Sequence, residues 1–229
     1  MIAVIVPAHD EEAHVAQCLE SILVAARHPG LRGEAVEVIL ALDSCSDGTG
    51  RIAASYPVRT LPVALRNVGA ARAAGCRTAI ECGARWLAHT DADSRVPPDW
   101  LHGQLQARSE AFCGMVRVEC WDGYAPMVRQ AFEARHPARE PHPHVHGANL
   151  GVSAEAYLRC GGWQSLARDE DVALVGSLDA IGARVARLVH PVVATSARRQ
   201  ARLSGGFADY LRALEQALLP PAASADATA

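Results

Sequence analysis

The chain has 229 residues, half of them apolar and 21% charged, enough to bury one sizeable α/β core or two small ones. A net charge of −3 with scattered arginines offers no basic surface for nucleic acid, so none is expected as a partner. No apolar run reaches the ~20 residues of a membrane span. No basic region precedes the first apolar stretch, and seven cysteines without Cys-x-x-Cys spacing indicate reduced thiols, so the expectation is a cytoplasmic protein with no integral membrane segment.

Residues 2–6 are an uninterrupted apolar run closed by Pro7, the pattern of a strand buried on both faces. A helix is expected over 11–26, where Val15, Cys18, Leu19, Ile22, Leu23 and Ala26 recur at three-and-four spacing. Glu11 and Glu12 suit its positive N-terminal end. Residues 36–42 form a second strand that runs into Asp43, followed by a polar turn and a short helix reaching about residue 55. Residues 58–63 are a weaker third strand, with Pro62 placing its end near a sheet edge. An Ala-rich helix over 68–82 leads to a fourth strand over 86–90, which stops at Asp91 and Asp93. Residues i and i+2 of extended chain share a side, and two carboxylates there repel unless something positive sits between them. A hard divalent cation held by phosphate oxygens supplies that charge; an acidic turn capping the next helix is the alternative.

The second half is less regular. A helix opens at Pro97 and Pro98 and runs to about 109, a strand covers 112–119, and a helix covers 127–134. Residues 135–146 hold three prolines and the histidines His136, His142, His144 and His146, and are expected to form a mobile lid loop. Zinc binding by those histidines is disfavoured, because the flanking carboxylate or cysteine spacing of a structural site is missing. A short strand over 149–152, a helix capped by Ser153 and stopped by Gly161 and Gly162, a helix over 169–181, a strand over 184–190 and an amphipathic helix over 207–219 complete the pattern. Residues 220–229 are expected to be a disordered tail.

Strands alternating with helices indicate a mostly parallel sheet covered on both faces, a three-layer α/β/α sandwich. In such sheets ligands bind beyond the carboxyl ends of the strands. Residues 7–12, 43–49 and 91–93 therefore converge on one rim.

These segments, in this order, resemble glycosyltransferase family 2, enzymes of the GT-A fold. The resemblance is carried by Val4-Ile-Val-Pro-Ala-His-Asp-Glu-Glu12, Leu42-Asp-Ser-Cys-Ser-Asp-Gly-Thr49, Arg66-Asn-Val-Gly-Ala-Ala-Arg-Ala-Ala-Gly75, Asp91-Ala-Asp93, Gly147-Ala-Asn-Leu-Gly151 with Gly161-Gly-Trp163, and Asp169-Glu-Asp171. It extends over roughly residues 1–199. One departure is Ala173 after the acidic group, where the family usually has an aspartate.

The resemblance implies one GT-A domain over 1–219, with a nucleotide-sugar half (1–95) and an acceptor half (96–219). It implies transfer of a sugar from a UDP- or GDP-linked donor to a hydroxyl, with inversion and with Mg²⁺ or Mn²⁺ as cofactor. Pro7, Ala8 and Glu11 would line the nucleotide pocket with Ala92, and Asp43 would accept from the base. Gly69 and Arg72 would lie against the base or diphosphate. Asp93, with Asp91, would carry the metal, which neutralises the leaving group. Asp171 would be the general base, with Glu170 beside it on acceptor hydroxyls; a helix N-terminal charge is the alternative for this pair. His190 is a third metal ligand, a phosphate contact or a structural histidine. Arg198 and Arg199 either clamp the diphosphate or are solvated. Asn149 falls on the acceptor side, and Trp163 is either a sugar-stacking or a core aromatic.

A nicotinamide-dependent oxidoreductase would need Gly-x-Gly-x-x-Gly after the first strand, and Pro7-Ala-His-Asp-Glu-Glu12 has none. A sugar nucleotidyltransferase would carry a Gly-rich basic loop there, whereas this one is acidic. A non-catalytic nucleotide-sugar-binding protein of the same fold would be expected to lack Asp93 or Asp171, and both are present.

Overall fold

A computed structural model describes residues 1–121, 123–199 and 207–218. Its elements run β1 (Ile2–Ala8), α1 (Val15–Ala25), β2 (Val36–Asp43), α2 (Thr49–Ala53), β3 (Arg59–Val63), α3 (Val68–Glu81), β4 (Trp86–His89), α4 (Trp100–Gln106), β5 (Ala111–Val118), α5 (Pro126–Arg135), β6 (Leu150–Ser153), α6 (Ala154–Arg159), α7 (Glu170–Ala180), β7 (Val185–Thr195) and α8 (Phe207–Leu218). The strands make one sheet in the order β3-β2-β1-β4-β6-β5-β7. Every pairing is parallel except those of β6, which runs antiparallel to both β4 and β5.

Alternation along β1 builds the three layers. Ile2, Val4 and Val6 pack with Val15, Leu19 and Ile22 of α1 and with Trp100 and Leu101 of α4. Ala3 and Ile5 face the other way, toward Cys76 and Ala79 of α3 and Leu174 and Leu178 of α7. All of these side chains are buried, as period-two alternation requires of a strand covered on both faces. A third, smaller cluster joins Val128 and Phe132 of α5 to Leu211 and Leu214 of α8. Among the described residues, no helix is long and apolar enough to cross a membrane.

Three boundaries depart from the sequence expectation. The first helix begins at Val15 rather than residue 11, because Asp10 and Glu12 bind the next loop and Glu11 pairs with Arg198 instead of capping. Asp10, in a left-handed conformation, accepts from the Ser46 and Asp47 amides, and Glu12 accepts from Gly48. The helix after Pro97 and Pro98 begins at Trp100. The last strand runs to Thr195 rather than stopping at residue 190, passing through an irregularity opposite Gly114 to Val116 of β5. The tail expected over 220–229 lies outside the described residues.

Candidate functional site

The carboxyl ends of β1, β2 and β4 open onto a cleft of about 650 Å³. Being antiparallel, β6 delivers the segment before it, residues 147–149, to the same rim. The N-terminus of α7 and the stretch after β7 close the far side. Pro7, Ala8, Glu11, Asp43, Arg72, Asp91, Ala92 and Asp93 all line the cleft, and so do Glu170, Asp171 and Arg198.

Asp43 organises one wall. Its Oδ1 accepts from the backbone N–H groups of Leu65 (2.7 Å) and Arg66 (2.8 Å), and its Oδ2 from that of Asn67 (2.9 Å). Burial works against the charge, yet these three amides hold the carboxyl below its ordinary range. Asn67 then caps α3 by accepting from Ala70.

Four carboxylates and two arginines fill the centre. Arg72, buried on α3, donates through Nη2 to Asp91 Oδ1 and through Nη1 to Glu170 Oε1, each at 2.6 Å. Arg198 donates to Glu11 Oε1 at 2.6 Å and sits 3.3 Å from Asp93 Oδ2. Burial pushes the Asp93 carboxyl up to about 6 against the pull of Arg198. Burial likewise raises Glu170, with Arg72 opposing. Asp171 is half-buried and fixed by two amides: Gly147 N–H donates to Oδ2 and Val172 N–H to Oδ1, both at 2.8 Å.

Asp91 and Asp93 offer hard oxygen donors at one point of the rim, and Asp93, with 10% of its side chain exposed, is a largely buried carboxylate whose charge burial disfavours. Among the described residues no group of three His, Cys, Asp or Glu gathers into a closed cage. That donor set fits Mg²⁺ or Mn²⁺, which are held by one or two carboxylates and complete their shell with water and substrate phosphate.

Five expected residues sit elsewhere. His190 is exposed and does not line the cleft; the strand continues past it, so the stretch that arrives at the rim is 195–198. Arg199 turns away to pair with Glu215 and to lie 4.7 Å over the Tyr124 ring, joining the α5–α8 layer. Asn149 is wholly buried and saturated: Nδ2 donates to the Met115 and Pro191 carbonyls, and Oδ1 accepts from Trp100 Nε1. Trp163 is a core aromatic, edge-on to His89 and 4.8 Å beneath the Arg72 guanidinium. Gly69 meets protein: a Cβ there would come 2.2 Å from the Gln164 carbonyl oxygen.

The histidine segment is irregular, as expected, but its rings stack. His136 lies 4.4 Å from His144 and 4.1 Å from Phe132, and His144 lies 6.1 Å from His146. His136, His144 and His146 line the cleft beside Phe207 and Tyr210 of α8. Burial, and then the neighbouring imidazoles His136, His144 and His142, push His146 down to about 3. Sequence reasoning missed this stack, the contribution of α8 and the double pairing of Arg72. The contribution of α8 and the double pairing of Arg72 have no local signal, because each joins segments distant in the chain, whereas the stack forms within the histidine segment itself.

Residues 3–155 match the model of the family described as Glycosyl transferase family 2. A comparison with curated protein sequences finds no match. Among solved structures, residues 1–349 of TarS from S. aureus in complex with UDP-GlcNAc superpose with a TM-score of 0.68 at 15% identity, over 90% of this chain and 61% of that one. The mannosyltransferase PcManGT from Pyrobaculum calidifontis, in complex with GDP-Man and Mn²⁺, gives 0.66 at 20% identity, over 87% and 58%. Glucosyl-3-phosphoglycerate synthase from Mycobacterium tuberculosis, in complex with Mn²⁺, UDP and glucosyl-3-phosphoglycerate, gives 0.60 at 18% identity, over 94% and 76%. The chain thus spans about three fifths of the first two, and the likeness at these identities is one of fold.

Proposed function

This chain belongs to glycosyltransferase family 2, and on that premise we propose that it transfers a sugar from a UDP- or GDP-linked donor to an acceptor hydroxyl, with inversion and with a divalent cation. The observation that carries the reading is one cleft with Asp91 and Asp93 among its lining and Asp171 also facing it. The nucleotide lies along the wall built by Pro7, Ala8 and Asp43. Asp93 and Asp91 would hold Mg²⁺ or Mn²⁺, which would supply positive charge to the diphosphate leaving group. Arg198, already at this point of the cleft, is the residue able to turn from carboxylate to phosphate.

Asp171 takes the proton from the acceptor hydroxyl. Its two backbone donors fix the carboxylate without neutralising it, which a base that must accept a proton in flight requires. Attack comes from the side opposite the diphosphate and forms one bond as the other breaks, so no covalent enzyme intermediate arises. Positioning and electrostatics provide the rate. A nucleotidyltransferase is disfavoured by the loop after β1, whose Asp10 and Glu12 are spent on the 46–48 amides rather than forming a triphosphate cradle.

Asp171→Asn tests the assignment, because it keeps the shape and one of the two backbone hydrogen bonds but cannot take the proton, and a melting curve verifies that losing the other leaves the chain folded. Turnover should fall by about 10²- to 10⁴-fold, with donor affinity measured by calorimetry in Mn²⁺ unchanged. Turnover within about threefold of the parent would remove Asp171 from the chemistry.

A further inference from the structure

Among the described residues, Arg72 is the one cation in direct contact with carboxylates of both segments that the proposed transfer uses. Its side chain is 3% exposed, and its two terminal nitrogens are divided, one to Asp91 after β4 and one to Glu170 at the start of α7. Two further contacts hold the guanidinium. Its carbon lies 4.8 Å over the Trp163 ring. Gly147 presses on it so closely that a Cβ there would sit 2.5 Å from Nη2. The third carboxylate, Asp171, is tied to the same place through the Gly147 N–H. A planar fork pinned in this way cannot swing to follow one partner and abandon the other.

From this geometry we propose that Arg72 is a positioning residue that couples cation binding at Asp91 to Glu170, an inference that rests on the metal reading above. Asp91 and Glu170 share one positive charge. While Glu170 takes its half of the fork, Asp91 keeps enough negative charge to attract a second cation. If Glu170 loses its charge, Arg72 neutralises Asp91 alone, and the rim attracts a metal less. Glu170 therefore sets metal affinity without touching the metal. By linkage, cation binding at Asp91 strengthens the hold of Arg72 on Glu170 and fixes the start of α7, where Asp171 stands.

The test is Mn²⁺ affinity, measured by calorimetry on the full chain with UDP or GDP present, in the parent, Glu170→Gln and Asp169→Asn. Gln keeps the shape and one hydrogen bond to Arg72, and a melting curve verifies that the variant is folded. Asp169→Asn removes an equal charge one residue away, where no contact with Arg72 exists. Coupling of the usual size predicts Mn²⁺ binding about 5- to 10-fold weaker in Glu170→Gln, with Asp169→Asn within about twofold of the parent. Equal affinity in the parent and Glu170→Gln overturns the coupling and leaves the metal reading intact. Equal weakening in both variants means long-range charge alone and also overturns it. No Mn²⁺ binding by the parent would remove the metal reading and the coupling with it.

Discussion

His146 makes the fold sensitive to acid in a calculable way. Its Nε2 is buried with no hydrogen-bond partner among the described residues, and three other imidazoles crowd the ring. Protonation there would create an unpaired buried charge, so the folded value is about 3, against about 6.5 in the unfolded chain. The unfolded chain thus takes up a proton that the folded one refuses, and stability falls as pH drops below about 6.5. Between pH 7.5 and pH 5.0 the group titrates over about 1.5 units, worth about 2 kcal/mol. For a chain of this size that is a melting-point loss of roughly 4–8 °C. His146→Gln, which cannot titrate, should lose that much less over the same interval, measured by thermal denaturation at both pH values. His89, buried and held well below its usual range by burial and by Arg72, adds an acid sensitivity common to both proteins that cancels in the difference. Parallel losses in parent and variant would refute the buried, neutral His146.

Gly147→Ala places a methyl 2.5 Å from Arg72 Nη2. It should force the fork off its partners, destabilising the protein by about 1–3 kcal/mol and lowering turnover at least ~10-fold; melting and steady-state rates measured together check it. Asp43→Asn turns an acceptor into a donor facing the 65–67 amides, so urea denaturation should report a loss of about 1–3 kcal/mol, with weaker nucleotide binding alongside. Arg198→Gln removes the cation beside Asp93, so Mn²⁺ should bind several-fold more tightly while UDP and GDP bind more weakly; unchanged Mn²⁺ affinity would show that Arg198 and metal do not compete.

The parallel part of the fold was legible because buried strands carry their own signature: residues 2–6 and 36–42 are apolar without a break, and each runs into a polar loop. The rim was legible for the same reason, since Pro7, Asp43 and Asp91 follow those strands directly. Side-chain partners were not. Nothing local separates Arg198, whose guanidinium reaches Glu11 across the sheet edge, from Arg199, which points into the α5–α8 layer. The end of β7 was misplaced because His190-Pro191 looks like a terminator, while the sheet absorbs the pair in an irregularity and carries on. Asn149 and Trp163 belong to segments that run alongside the site, and their order in the sequence could not tell a side chain under the floor from one on it.

The reversed strand has a consequence for how the molecule could be divided. Residues 1–95 hold four strands in unbroken βα succession and look like a detachable module. Yet β4 lies in mid-sheet, with β1 on one side and β6 on the other, pairing Trp86 with Ser153 and His89 with Leu150. A chain cut after residue 95 would strip that side and expose a short apolar edge, Trp86-Leu-Ala-His89, with its backbone N–H and C=O groups open. Such an edge is a template for pairing with another copy. The two halves are therefore not interchangeable parts: a chimaera that replaces the second half must import a strand able to zip antiparallel onto β4, or the first half will self-associate.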